Sequence, residues 1–255
     1  MKLVSLNCWC GHEFETLTSF IEEQSRDTDV FCLQEMVDAK QDFSDIDDRS
    51  NLMTEIGNRL PAFDGFFHPM IDGMLADGTL VDHELPLGQA MFIRRGIAHG
   101  DVKDRFVYRT YNQIIEGDIS SIPRNVQYVT LTGLDRPLNI LNFHGLWWNS
   151  YKDDNEHRLE QSRKILDLLS GLKGEVVLTG DFNLKPETKS LALFEGRLRN
   201  LIKEFGVTDT RTSLYKKPIR HADYILVSEN VKAKSFEVPD LPISDHRPMI
   251  LEFSL

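Results

Sequence analysis

Apolar residues arrive in short runs along this chain, and their spacing switches repeatedly between the strand and helix periods. Lys2 to Leu6 and Val30 to Leu33 read as strands that end on polar residues, with helical spacing over Glu13 to Gln24 between them. The same reading gives helices over Leu52 to Leu60 and Asn155 to Leu169. Further strands fall near Ala90 to Arg94, Asp104 to Arg109, Val126 to Leu131, Leu138 to Phe143, Val176 to Thr179, Ala222 to Val227, Val231 to Phe236 and Met249 to Phe253. In the helix from Asn155, Leu159, Ile165, Leu166 and Leu169 share one face, and Gly171 stands where a C-terminal stop is expected. This alternation predicts an α/β fold with mixed sheets. No Pro-, Gly- or Ser-rich linker interrupts it, so residues 1–255 read as a single domain, with Asp38 to Asp48 an acidic connector. A faint internal echo relates Leu3 to Asn7, a helix and Val30 to Glu35 with Leu138 to His144, a helix and Val176 to Asp181. Two such halves place polar groups at strand C-terminal ends, around one site between them.

Composition narrows the class. Hydrophobic residues make up 41% of the chain and charged residues 27%, which fits a protein with a real core. No run approaches the roughly 18 apolar residues of a membrane span. The first residues do not make a secretory signal, because Asn7, His12, Glu13 and Glu15 break any apolar run, so a cytoplasmic location is expected. Three cysteines, with two at Cys8 and Cys10, predict free thiols rather than a disulfide framework. Lys and Arg number 29 against 40 Asp and Glu, a formal net charge of −11, which disfavours broad attraction to a long polyanion.

The residues that close the strands carry the candidate chemistry. Glu35 follows the apolar run Val30-Phe31-Cys32-Leu33 and should emerge at the rim of a buried strand. Alone, such an acid is more often a solvated strand end; Asn7 and Asp181, however, close their strands in the same way. Oxygen donors of this kind suit Mg²⁺, which leaves positions for water and phosphate, whereas zinc lacks the His and Cys set it prefers. Gly180-Asp181-Phe182-Asn183 allows a sharp exit from its strand, with Asp181 able to position a water and Asn183 to donate to a phosphoryl oxygen. By itself it is also an ordinary strand-to-turn sequence. In Ser244-Asp245-His246-Arg247-Pro248 the proline disfavours helix at Arg247. His246 is then a candidate base with Asp223 as its orienting carboxylate, against the plainer reading of a surface-loop histidine. His144 can donate to a phosphate or serve only the fold. A Gly-x-Ser-x-Gly elbow, a phosphate-binding Gly-Lys loop and a dinucleotide turn are all missing, and Cys8 and Cys10 read as buried small hydrophobes. What remains is a hydrolytic site without a side-chain nucleophile.

In order, Asn7, Leu33-Gln34-Glu35, Phe143-His144-Gly145, Gly180-Asp181-Phe182-Asn183, Asp223-Tyr224 and Ser244-Asp245-His246 resemble the motifs of the endonuclease/exonuclease/phosphatase superfamily, the DNase I-like proteins. The resemblance runs from Asn7 to His246. It implies a four-layer α/β sandwich of two face-to-face mixed sheets with helices outside and the site at one end. It further implies that Glu35 ligates Mg²⁺ or Mn²⁺ with support from Asn7, that Asp245 assists the metal, and that Asp181 orients the attacking water. Asn183 and His144 would hold the phosphate, and His246 with Asp223 would act as base or charge stabiliser. Arg124 resembles a phosphate-contacting arginine of some members, although an exposed strand-edge role fits its sequence as well. Trp9 stands where some members carry an acidic ligand, and Glu84 is the tentative carboxylate partner of His144.

These readings converge on metal-assisted hydrolysis of a phosphoester, with a non-catalytic phospho-ligand-binding member of the same fold as the alternative. The expected substrate is a nucleotide, a short nucleic acid end or a small phosphorylated metabolite, without an obligate protein partner. The acids at 38–48, with Asp72, Asp77, Asp82 and Glu84, would repel a long polyanion if they rim the cleft. Trp147, Trp148 and Tyr151 follow His144 and offer a stacking wall for a base or sugar, with Trp147 the substrate-contacting candidate; ordinary loop packing accounts for at least one of them.

Overall fold

The computed structural model describes residues 1–148 and 151–255. Along the chain run β1 (Lys2–Asn7), α1 (Phe14–Gln24), β2 (Val30–Val37), α2 (Leu52–Arg59), β3 (Phe63–Ile71), β4 (Leu87–Arg94), β5 (Lys103–Tyr108), β6 (Arg124–Leu131) and β7 (Leu138–His144). They are followed by α3 (Glu156–Gly171), β8 (Glu175–Asp181), α4 (Lys189–Glu195), β9 (Arg199–Asn200), α5 (Leu201–Glu204), β10 (Asp223–Val227), β11 (Lys232–Glu237) and β12 (Met249–Ser254). Two mixed sheets of six strands form, in the orders β11-β12-β1-β2-β4-β3 and β5-β6-β7-β8-β10-β9. Among the described residues no helix is long and apolar enough to cross a membrane.

Strand alternation builds the layers. Val4, Leu6, Phe31 and Leu33 point outward from the first sheet and pack under Leu17, Phe20 and Ile21 of α1 and Leu52 and Ile56 of α2. Their neighbours Leu3, Val30 and Cys32 point inward and share a core with Val129, Leu138 and Ile140 of the second sheet. Ile165 and Leu169 of α3 and Leu191 and Phe194 of α4 cover that second sheet. The result is the expected helix, sheet, sheet, helix sandwich. The internal echo is real in three dimensions: β1 pairs parallel with β2 and β7 parallel with β8, so Asn7 stands opposite Gln34 and His144 opposite Asp181.

Amide side chains also cross the apolar core. Gln34 Nε2 donates to Asn142 Oδ1 at 2.6 Å, while Asn142 Nδ2 donates to the carbonyls of Leu33 and Ala90, each at 3.1 Å, and to Gln127 Oε1 at 3.2 Å. Gln89 and Asn125 add a second bridge at 2.7 Å. At the exit of β8, Gly180 has φ +135° and a Cβ there would lie 2.0 Å from the Phe143 carbonyl oxygen, so the chain can reach Asp181 only through glycine.

Some elements escaped the sequence reading for identifiable reasons. Strand β3 contains Gly65 and Pro69, which weaken its strand signal, but it is an edge strand where proline is tolerated. Strand β9 and helices α4 and α5 span only 2, 7 and 4 residues, too few for a period to register. In α3 the buried stripe is Arg158, Gln161, Ser162, Ile165, Leu168 and Leu169, leaving Leu159 and Leu166 only half-buried. The polar members turn the helix because Arg158 donates to the Leu146 carbonyl and Gln161 accepts from the Leu146 amide. Gly171 is the last residue of α3 rather than a stop beyond it.

Asn142→Ala removes the donor and acceptor that join the sheets and leaves the Gln34 amide with only its bonds to the Cys32 carbonyl and Ser5 Oγ, inside its own sheet. Chemical denaturation should show a loss of about 2–4 kcal/mol, whereas an unchanged midpoint and slope would mean that the bridge contributes nothing.

Candidate active site

The ends of β1, β2, β7, β8 and β10 and the turn before β12 meet at one edge of the sandwich. Strand β2 delivers Glu35 through a bulge between Gln34 and Met36, and the residue itself has φ +51°. Asn7 Nδ2, from β1, donates to Glu35 Oε1 at 2.9 Å and lies 3.3 Å from Asp181 Oδ2; its Oδ1 accepts from the Trp9 amide at 2.9 Å. Asn7 therefore orients the two acids. His144 Nε2 sits 3.6 Å from Glu35 Oε1 and 3.8 Å from Asp181 Oδ2.

Asp181 is the hub. Its Oδ1 accepts the Asn183 amide at 2.8 Å, and Asn183, with φ +54°, turns its own Nδ2 to the Gly145 carbonyl at 3.3 Å. Toward its Oδ2 come His246 Nε2 at 3.5 Å and Arg211 Nη2 at 3.8 Å. His246 Nδ1 meets Asp223 Oδ1 at 2.7 Å, and Thr210 Oγ1 donates to the other Asp223 oxygen at 2.7 Å. A carboxylate only accepts, so Nδ1 carries the proton and Nε2 faces the site. The turn is tied down by Ser244 Oγ, which donates to the Asn7 carbonyl at 2.7 Å. Asp245 Oδ2 accepts from Arg211 Nη1 at 2.6 Å, and its Oδ1 lies 3.6 Å from His246 Nε2.

Burial and charge push these groups in different directions. Burial disfavours charge on Asp181, yet His246, Arg211 and Lys152 outweigh it and hold the carboxyl well below its usual range. Burial, reinforced by Asp245, instead raises Glu35. His144 falls to about 3, from burial first and then Arg124, and so is neutral. For His246, burial and Arg211 oppose the charged ring, but Asp223, Asp245 and Asp181 together raise it above its ordinary value. Glu35, His144 and Asp181 bring ligand atoms within 4.8 Å of one another, as do Asp181, Asp223 and His246. The buried Asn183 Oδ1 has no partner among the described residues. An acid raised by burial and by Asp245, lining the same cleft as an unpaired amide oxygen, fits a hard divalent cation.

A cleft of about 580 Å³ opens over this cluster. Arg124 lines it, almost fully buried and not an exposed strand-edge residue, with Nε donating to the Gly145 carbonyl at 2.9 Å. Trp147 forms part of the wall beside Lys217, whereas Trp148 and Tyr151 are exposed, and Trp148 lies against His157. Asp45, Asp47, Asp48 and Asp77 do rim the cleft; Asp72, Asp82 and Glu84 border a separate shallow depression. Glu84 pairs with Lys40 at 3.0 Å, so it is not the partner of His144, whose Nδ1 has none among the described residues. Trp9, with φ +47°, stacks on His12 at 4.7 Å, and His12 in turn bonds Asp48 at 2.9 Å. Sequence reasoning missed Arg211, Lys152 and Tyr215, which lie in irregular segments with no periodic signal to mark them. The three cysteines are buried and free, as expected.

A family model described as "Endonuclease/Exonuclease/phosphatase family" matches residues 4–246. No curated protein matches the chain. Among solved structures, a mannosyl-6-phosphatase of Bacteroides thetaiotaomicron is similar at TM-score 0.72 and 18% identity, over 100% of both chains. An endonuclease/exonuclease/phosphatase family protein of Leptotrichia buccalis gives 0.69 and 16%, again over 100% of both. The human Nocturnin catalytic domain, solved with bound sulfate, gives 0.69 and 16% over 100% of this chain and 93% of its own. At these identities the likeness is one of fold.

The Asp223–His246 pair predicts a pH response in the metal-free protein. A group raised on folding stabilises the fold fully below its unfolded value of about 6.5, and that contribution disappears as pH rises through the higher folded value. Proton NMR should place the His246 midpoint above 6.5, and Asp223→Asn should lower it; an unmoved midpoint would remove Asp223 as the cause.

Proposed function

The chain belongs to the endonuclease/exonuclease/phosphatase family, and from that premise we propose that it is a phosphoester hydrolase dependent on Mg²⁺ or Mn²⁺ that activates a water without a covalent intermediate. The observation that carries this reading is the convergence of Asn7, Glu35, His144, Asp181, Asn183 and the Asp223–His246 pair on one buried point.

Glu35 is the principal metal ligand, oriented by Asn7, with Asp245 completing the acidic side. A divalent ion held there would supply electrostatic stabilisation of phosphoryl charge. Asp181, kept anionic by its cationic neighbours, accepts a hydrogen bond from the attacking water and fixes its line of approach. His246 Nε2 takes the proton, and Asp223 stabilises the resulting imidazolium through Nδ1. Neutral His144, the Asn183 amide and Arg124 hold the phosphoryl oxygens. The order is that of a site in which positioning and charge do most of the work.

A compact substrate fits best. The acidic rim at Asp45, Asp47, Asp48 and Asp77 opposes a long polyanion, while Trp147 offers one aromatic face for a sugar or base. Two proteins of the same fold support the same scale, one named a mannosyl-6-phosphatase and one solved with sulfate.

Purified protein should hydrolyse small phosphoesters in Mg²⁺ or Mn²⁺ and stop on chelation. Glu35→Gln and His246→Ala should each lower kcat/KM by roughly 10²-fold or more. Wild-type turnover in either folded variant, or full activity in chelator, would overturn the assignment.

A further inference from the structure

Behind the Tyr215 side of the cleft lies a cation that the scheme above uses only to help hold Asp181 anionic. Lys152 lies in the segment between β7 and α3, completely buried and with φ +56°. Its Nζ has no hydrogen-bond partner among the described residues. The ammonium stands 5.4 Å from the ring centre of Tyr215, and the guanidinium carbon of Arg211 stands 4.2 Å from the same ring. Arg211 is 4% exposed, gives Nη1 to Asp245 at 2.6 Å, and keeps a buried Nε without a partner. Tyr215 and Arg211 line the cleft beside Asp181, Asn183 and Trp147. Two cations, each with an unsatisfied nitrogen, are therefore gathered around one aromatic ring, Arg211 lining the cleft and Lys152 buried behind its surface.

A buried ammonium without a counter-ion is costly, and the fold gains nothing from it that a methionine of similar length would not supply. Burial and Arg211 push Lys152 down to about 7, against the pull of Asp181, Asp223 and Asp245. An incoming anion would relieve this cost. The ester class follows from charge and shape. A monoester presents three free oxygens and nearly two negative charges; a diester presents two free oxygens and one charge. The roles given to the metal ligands, Arg124, Asn183 and His144 suffice for a monoanion. The second ester arm of a diester would turn an anionic oxygen into a neutral ester oxygen bearing carbon, so the positive charge of Lys152 and the free Nε of Arg211 would gain no anionic partner.

We propose that Lys152 and Arg211, set around Tyr215, form a subsite for the extra anionic oxygen of a phosphomonoester and so make the protein a monoesterase in preference to a diesterase. This rests on the phosphoester reading of the same cleft. The test compares 4-nitrophenyl phosphate with bis(4-nitrophenyl) phosphate in Mg²⁺, together with calorimetric binding of inorganic phosphate, for the wild type, Lys152→Met and Lys152→Arg. In Lys152→Met the kcat/KM for the monoester should fall about tenfold to a hundredfold, mainly through KM, and phosphate binding should weaken by a similar factor. The diester should lose much less, and Lys152→Arg should recover most of the monoester rate. Equal losses on both esters, or unchanged phosphate affinity in folded Lys152→Met, would overturn the subsite. Should that variant fail to fold, the wild type still decides, because dimethyl phosphate must compete for inorganic phosphate far more weakly than methyl phosphate; equal competition overturns the proposal. Lys152-dependent phosphate binding without hydrolysis of any ester would uphold the subsite and overturn the hydrolase reading instead.

Discussion

Two sheets that share no strand must hold one register, and buried amides impose it. Asn142 on β7 donates to backbone carbonyls of β2 and β4, and Gln34 on β2 returns a bond of 2.6 Å. Apolar contacts alone tolerate sliding, whereas a displaced amide in a dry core loses its partners and incurs their desolvation penalty. The site depends on this constraint because it is divided between the sheets. Asn7 and Glu35 come from the first, His144, Asp181 and Asp223 from the second, and His246 from the turn entering the first again. A shift of one residue along either sheet would separate His246 from Asp223 and Asn7 from Asp181. Gln34 bonds across the sheets immediately before Glu35, and Asn142 stands two residues before His144, so the seam ends where the chemistry begins.

Close approach of so many ionisable groups then sorts their charges. Asp181 and Glu35 are both buried, yet one is driven toward the anion and the other away from it. The difference lies in their neighbours: Asp181 faces His246, Arg211 and Lys152, while Glu35 faces Asp245 and has an uncharged amide as its hydrogen-bond donor. Two carboxylates with divergent environments permit two tasks, one positioning a water and the other requiring an added cation. Neutral His144 belongs to the same division, since burial and Arg124 keep positive charge off its ring.

Much of this was legible from sequence wherever a polar residue closed an apolar run. Glu35, His144 and Asp181 announce themselves that way, and the parallel pairing of β1 with β2 and β7 with β8 explains why the echo between halves was visible. The order of the motifs named the fold. What stayed hidden depends on chain path rather than local pattern. Arg211 and Tyr215 sit in the irregular stretch between α5 and β10, and Lys152 in another loop, so only the folded chain shows that they share a ring. Glu84 failed as a partner for His144 for the same reason: its connector reaches the cleft at Asp77, but Glu84 itself turns to Lys40 on a separate depression. In α3, the Arg158 and Gln161 bonds to Leu146 overrode the apolar face that leucine spacing suggested.

The net charge of −11 also takes on a different meaning once its distribution is known. Acids line the cleft at Asp45, Asp47, Asp48 and Asp77, while Arg124 and Arg211 line it as buried cations and Lys152 lies buried behind Tyr215. Exposed acids act through water and salt over about 8–10 Å, whereas the buried cations act in a poorly screened interior. A long polyanion would lay many phosphates against the rim for each one that reached the cations, and repulsion would grow with its length. A single small phosphate would meet the rim briefly and then the cations, so under the proposed function this charge map would favour a compact ester over a duplex.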